Sequence, residues 1–160
     1  MMLAAIALTM LGGLFPFAAA DVRVDRYTPT KGWVLEVRQD GFTQTKTCIL
    51  KARRMVYRTG VVTFQLRKSL NTANALYRLD AGPALSVGLV GPRAAGLGAE
   101  FKSDNTKNPS DGRVHIPASE LKGFSTVFIR TPSQRRATAF DLNGLGQALA
   151  AAKAQGCDVS

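Results

Sequence analysis

The sequence predicts a mainly β domain, an antiparallel β-sandwich or partly open barrel of seven or eight short strands with one C-terminal helix. Three observations point there. Short runs of alternating apolar and polar residues recur between turn signals such as Thr28-Pro29, Asp40-Gly41 and Thr59-Gly60. The one long run with clear helical spacing after the N-terminal segment is the last, Gly144 to Gly156. The two cysteines sit far apart, Cys48 in a predicted strand and Cys157 just beyond that helix.

Along the chain, Val22 and Val24 alternate with charged neighbours, which suits an edge strand over Asp21 to Tyr27. Trp33, Leu35 and Val37 alternate with Val34, Glu36 and Arg38, so one face of this strand is buried and the only Trp belongs to the core. Thr43 to Leu50 forms the next strand and carries Cys48. A basic stretch follows, with Arg53-Arg54, Tyr57 and Arg58, and then Val62, Phe64 and Leu66 point inward from a strand over Val61 to Arg67. Asn71 to Asn74 reads as a loop and Ala75 to Asp80 as a strand stopped by Gly82-Pro83. Leu85, Val87 and Leu89 alternate like a strand until Gly91-Pro92, and Ala94 to Phe101 suits a short helix or a strand. Lys102 to Arg113 is a loop, Val114 and Ile116 flank His115 in a brief strand, and Ser119 to Gly123 is at most a helical turn. Phe124 to Arg130 holds a continuous apolar run and is expected in the middle of a sheet. Thr131 to Arg136 is a basic hairpin loop leading to the closing strand, Ala137 to Leu142.

In the closing helix, Leu145, Ala148, Leu149 and Ala152 form one apolar stripe. Asn143 is the expected N-cap, Lys153 complements the helix dipole, and Gly156 suits the left-handed residue that ends a helix. In an exported chain the preferred state of the thiols is a Cys48–Cys157 disulfide pinning this helix to the domain. Two free thiols, or an intermolecular bond from Cys157, are the alternatives.

Export is expected because residues 1–20 carry no charged side chain and end in Ala18-Ala19-Ala20, a hydrophobic segment with a small-residue cleavage site. No Lys or Arg precedes the apolar run, and a retained anchor is the other reading. Gly12, Gly13 and Pro16 interrupt the run and favour a cleaved signal peptide over an anchor, with no integral membrane span after cleavage. Residues 21–160 then form a single β-rich domain, periplasmic or secreted. That part holds all 21 Lys and Arg against 11 Asp and Glu, so it carries the net charge of +10. Such a balance favours anionic partners such as lipid head groups, lipopolysaccharide or cell-wall polymers, with nucleic acid the less expected, while the spread of the charges suits equally a soluble protein whose exposed faces are arginine-rich.

No catalytic constellation stands out. The only His, His115, sits on a short strand, where it is expected to be exposed on the face opposite Val114 and Ile116, and no Gly-x-Ser-x-Gly elbow occurs. No cluster of Cys, His and carboxylates has the spacing of a metal site, and the loop from Asp104 to Gly112 has Pro109 where a calcium loop needs glycine. Gly144-Leu-Gly146 and Gly96-Leu-Gly98 lack the Lys of a phosphate loop. No cofactor is expected. The constellation with chemical promise is basic: Arg53, Arg54, Arg58, Arg67, Arg135 and Arg136, with Tyr57 interleaved, can bind anions by charge-assisted hydrogen bonds.

The leader-like start, Gly32-Trp33 opening a strand, Cys48 in the next strand, and Phe140-x-Leu142-x-Gly144-x-x-x-Ala148-Leu149 before Cys157 resemble small exported proteins of Gram-negative bacteria. The chain is similar in these features to the invasion-associated locus B group, whose members are periplasmic or surface-associated β-rich domains. The resemblance implies a location and a fold class and carries no catalytic residues with it. The expected function is a non-enzymatic exported domain that binds an envelope component or a protein partner. The alternatives are a basic module for anionic polymer or membrane surface, and a carboxylate-based hydrolase.

Overall fold

The structure is a computed structural model and describes residues 22–90 and 111–159. The expectations for residues 1–20, for Ala94 to Phe101 and for most of the Asp104 to Gly112 loop lie outside these residues.

Among the described residues ten strands form two antiparallel sheets. The larger has six strands, β1 (Val22–Thr30), β2 (Trp33–Asp40), β3 (Lys46–Ala52), β4 (Met55–Arg58), β5 (Val61–Gln65) and β8 (Arg113–Pro117), in the order β1-β2-β3-β4-β5-β8. The smaller has four, β6 (Leu76–Leu79), β7 (Leu85–Ser86), β9 (Thr126–Arg130) and β10 (Thr138–Asp141), in the order β10-β9-β6-β7. The sheets stay separate, which selects the sandwich over the barrel. One hydrophobic cluster joins them, with Trp33, Leu35, Phe64 and Ile116 from the larger sheet and Tyr77, Val127, Ile129 and Phe140 from the smaller. The β9 strand, with its continuous apolar run, does lie inside its sheet, between β10 and β6.

Among the described residues the strands depart from the expected set in two places. Met55 and Tyr57 are buried at period 2, so Met55–Arg58 is a strand absent from the expected set, its alternation hidden in the sequence by the exposed but apolar Val56 between them. The β7 strand is only two residues long, because residues 87–90 turn helical. Val87 and Val90 are both buried three residues apart while Leu89 is 70% exposed, so the spacing that matters there is helical rather than alternate.

Hairpin turns follow the sequence signals. Asp40 Oδ1 accepts hydrogen bonds from the N–H groups of Phe42 (2.8 Å) and Thr43 (3.0 Å), and these hold its carboxyl below the usual range. Thr59 and Gly60 both have positive φ (49° and 78°) between the paired residues Arg58 and Val61, the backbone of a tight two-residue hairpin.

The C-terminal helix, α1 (Leu145–Ala154), is fixed at both ends. Its N-cap is Gly144, with φ 83°, and not Asn143. Asn143 is otherwise engaged: its N–H donates to Asp141 Oδ1 (2.9 Å) and its carbonyl accepts from the Trp33 indole Nε1 (3.0 Å). A Cβ on Gly144 would stand 2.7 Å from Thr30 Cγ2, so glycine is required by space as well as by φ. At the other end the Cys157 N–H donates to Ala152 O (3.0 Å) and the Gly156 N–H to Lys153 O (2.9 Å), with Gly156 at φ 77°. This Schellman closure turns the chain back and delivers Cys157 to β3, where it is disulfide-bonded to Cys48 with Cα atoms 5.8 Å apart. Lys46 Nζ donates to Gln155 O (2.9 Å) beside it. Disulfides persist in oxidising compartments, so the bond points to a non-cytoplasmic location. Among the described residues no helix is long and apolar enough to cross a membrane.

Glu36 is buried on the outer face of β2, although its sequence neighbours alternate as a surface face should. Three cations cover it: Lys51 Nζ at 2.7 Å, Arg38 at 3.3 Å and Arg26, its cross-strand partner on β1, at 3.3 Å. The Lys51 hydrogen bond holds the carboxyl below its ordinary value against the opposing effect of burial, with Arg38 and Arg26 assisting.

Two predictions follow from these contacts. A depressed folded-state pKa means that the Glu36 contribution is full above the unfolded value and is lost as pH falls through the folded one. Glu36→Gln is therefore expected to cost about 1–2 kcal/mol at neutral pH, with the gap to wild type closing as pH falls below about 4, in urea melts across that range. The disulfide closes a separation of 109 residues, so Cys48→Ala/Cys157→Ala is expected to lower stability by about 2–5 kcal/mol by the same measurement without reductant.

Candidate functional site

A cleft of about 520 Å³ lies between two turns of the larger sheet and β10 of the smaller. Three chain segments wall it. The β1–β2 turn supplies Lys31 and Gly32, the β3–β4 turn supplies Arg53 and Arg54, and β10 with its following residues supplies Ala139, Asp141 and Asn143. The floor is apolar, made by Trp33, Met55 and Phe140, each 4% exposed or less.

Local sequence explains each wall. Gly32, at φ 85°, lets the β1–β2 connection turn within two residues and lifts Lys31 to the rim. Arg53 and Arg54 occupy the two-residue link between the paired Ala52 and Met55. Arg54 takes φ 61°, a conformation that side-chain-bearing residues adopt at a cost and that glycine adopts freely. Its guanidinium lies 5.0 Å from the centre of the Phe140 ring, and its Nε donates to Gln65 O at 3.0 Å. Phe140 in turn meets Phe64 edge-on, with centroids 5.1 Å apart. Arg54 is thus seated on the rim of the core, with its charge held at the cleft.

The electrostatics follow from this inventory. Three cations, Lys31, Arg53 and Arg54, face one carboxylate, Asp141, which already accepts the Asn143 N–H. Among the described residues none of the three cations takes part in an ion pair. A polar wall of positive charge over an apolar, aromatic floor can bind an anionic group by charge-assisted hydrogen bonds while an attached chain packs on the floor.

Of the six arginines expected to bind anions, the fold brings Arg53 and Arg54 into this cleft. Arg58 stands at the opposite end of β4, half-buried, about 13 Å along the strand. Arg67 is exposed beyond the end of β5, and Arg135 and Arg136 are exposed in the β9–β10 loop, just ahead of the strand that forms one wall. Lys31 was not singled out in the sequence. Its signal was present in the Lys31-Gly32-Trp33 turn, since a tight turn ahead of a buried Trp places the preceding side chain at the rim.

Residues with catalytic potential are otherwise engaged. His115 does lie on the face opposite Val114 and Ile116 but is buried rather than exposed, because it pairs with Thr63 on β5, whose hydroxyl is 2.9 Å from Nδ1. Among the described residues no group of three His, Cys, Asp or Glu could hold a metal ion. The buried carboxylate of the described residues, Glu36, is held ionised, the opposite of what a general acid requires.

No family model, curated protein or solved structure matches this chain.

The strained turn separates binding from folding. Arg54→Gly removes a positive-φ penalty of about 1–2 kcal/mol, and with it a cation–π contact and the Gln65 hydrogen bond of about 0.5–1 kcal/mol each, so stability is expected to change by less than about 1 kcal/mol. Affinity for a polyanion is expected to fall about fivefold, read by heparin titration beside a thermal melt.

Proposed function

We propose that this chain is a non-enzymatic, exported binding domain, periplasmic or secreted, which captures an anionic component of the cell envelope or of a protein partner. The observation that carries this reading is the convergence of Lys31, Arg53 and Arg54 on a cleft with an aromatic floor. The apolar, uncharged run at residues 1–20 supports export, as does the intramolecular disulfide. The resemblance to the invasion-associated locus B group agrees with an envelope or host-contact role. A net charge of +10 raises the rate of encounter with any anionic surface, and the cleft gives such an encounter a place to become specific.

The basic-module reading, in which the whole surface binds polymer or membrane, is favoured by one separate observation: Arg58, Arg67, Arg135 and Arg136 lie away from the cleft. The two readings differ in where binding energy sits and in its response to salt. Retention is to be measured on lipopolysaccharide, anionic vesicles, cell wall and DNA at low salt and at about 0.15 M salt. Selective retention at the higher salt, lost in Lys31→Ser/Arg53→Ser/Arg54→Ser but kept in Arg135→Ser/Arg136→Ser, is the expected result. Equal weakening by both variants, with all binding lost on adding salt, favours the basic module. No retention on any ligand at low salt overturns both.

A further inference from the structure

The cleft wall formed by β10 is also the edge of a sheet. β10 is the outermost strand in the order β10-β9-β6-β7, and among the described residues no strand flanks its other side. The direction of its backbone groups follows from the register. Thr138 pairs with Ile129 and Asp141 with Thr126, so Leu142 stands opposite Ser125, and the Leu142 N–H does donate to Ser125 O at 2.8 Å. Antiparallel pairs alternate between bonded and non-bonded positions. Leu142, Phe140 and Thr138 therefore turn their N–H and C=O toward β9, and Ala139 and Asp141 turn theirs away from it. Ala139 and Asp141 are also the β10 residues that, with Phe140, line the cleft.

We infer that the cleft takes an extended acidic peptide segment, added as a further strand beside β10. This rests on the anion-binding reading above and names its partner class. Backbone donors and acceptors at Ala139 and Asp141 supply a ladder that only a polypeptide in extended form can complete. Lys31, Arg53 and Arg54 face the added strand from the larger sheet. A strand bearing Glu or Asp at alternate positions matches those cations, and small or apolar residues between them meet the floor of Trp33 and Phe140. A polysaccharide or nucleic acid satisfies the cations but leaves the ladder unmade.

The test uses the full chain and two synthetic eight-residue peptides of alternating Glu and Thr, identical except that one carries N-methyl groups on every peptide nitrogen, so that neither of its edges can pair. Charge is the same in both, and only the first can complete the ladder. The unmodified peptide is expected to bind at least about tenfold more tightly and to slow amide exchange at Ala139 and Asp141. In Ala139→Pro, which removes an outward N–H without touching the β9 pairing, the advantage of the unmodified peptide is expected to shrink toward equal binding. Equal binding of both peptides to the wild type overturns strand addition and leaves the anion cleft standing. Absence of peptide binding in a chain still retained on polyanion does the same. Absence of both overturns the cleft reading itself. The N-methyl comparison decides the question even if Ala139→Pro does not fold.

Discussion

The indole N–H of Trp33 and the carbonyl of Asn143 are 110 residues apart in sequence and 3.0 Å apart in the fold. Much of the molecule's organisation passes through that bond. Trp33 opens β2 of the larger sheet, and Asn143 links β10 of the smaller sheet to α1, so the bond ties both sheets and the helix at one point. Its donor, Trp33, is buried, and a buried donor left without its acceptor costs about 1–3 kcal/mol, which discourages any other seating of the helix start. Gly144 packs its backbone against Thr30 and Trp33 at the same place, where a side chain would not fit. At the far end the Schellman closure and the Cys48–Cys157 bond return α1 to the larger sheet. A helix of ten residues is too short to be stable alone, and here tertiary attachments at both termini replace intrinsic propensity.

The same junction builds the cleft. Trp33 is its floor, Lys31 precedes Trp33 by one turn glycine, and Asn143 follows the β10 wall. Ordering the sandwich therefore orders the site, with no separate segment to be positioned. Arg54 adds the remaining side by giving up a comfortable backbone conformation to lie against Phe140. Strain of this kind persists where the surroundings over-determine it, and here the Gln65 hydrogen bonds and the aromatic ring do so.

The architecture was largely legible in the sequence because alternation and turn chemistry are local. Trp33, Leu35 and Val37 announce their face, Asp40-Gly41 and Thr59-Gly60 announce their turns, and Gly156 announces the helix end. What escaped was decided by contacts far along the chain. Asn143 has the chemistry of an N-cap, but its groups are claimed by Trp33 and Asp141, and Gly144 takes the position instead. Glu36 reads as a solvated residue until β1 and β3 bring Arg26 and Lys51 over it. The site was legible in part for the same reason. Arg53 and Arg54 were visible as a basic pair, whereas their union with Lys31 depends on pairing β2, β3 and β4 in register.

The outer strands β1 and β10 handle exposure differently, and the difference bears on what can dock. β1 is a nine-residue edge that mixes signs, with Arg23 ion-paired to Asp25 at 3.0 Å, so neither an acidic nor a basic strand gains much by approaching it. β10 is four residues long, and the charges that line the cleft beside it are mostly of one sign: Lys31, Arg53 and Arg54 against Asp141. Such an edge repels a second copy of itself, because pairing two β10 strands would bring two sets of arginines together. It offers no such barrier to an acidic strand. Protection against self-association and selection of an acidic partner then come from the same side chains, which is why mutating them is expected to change specificity before it changes the fold.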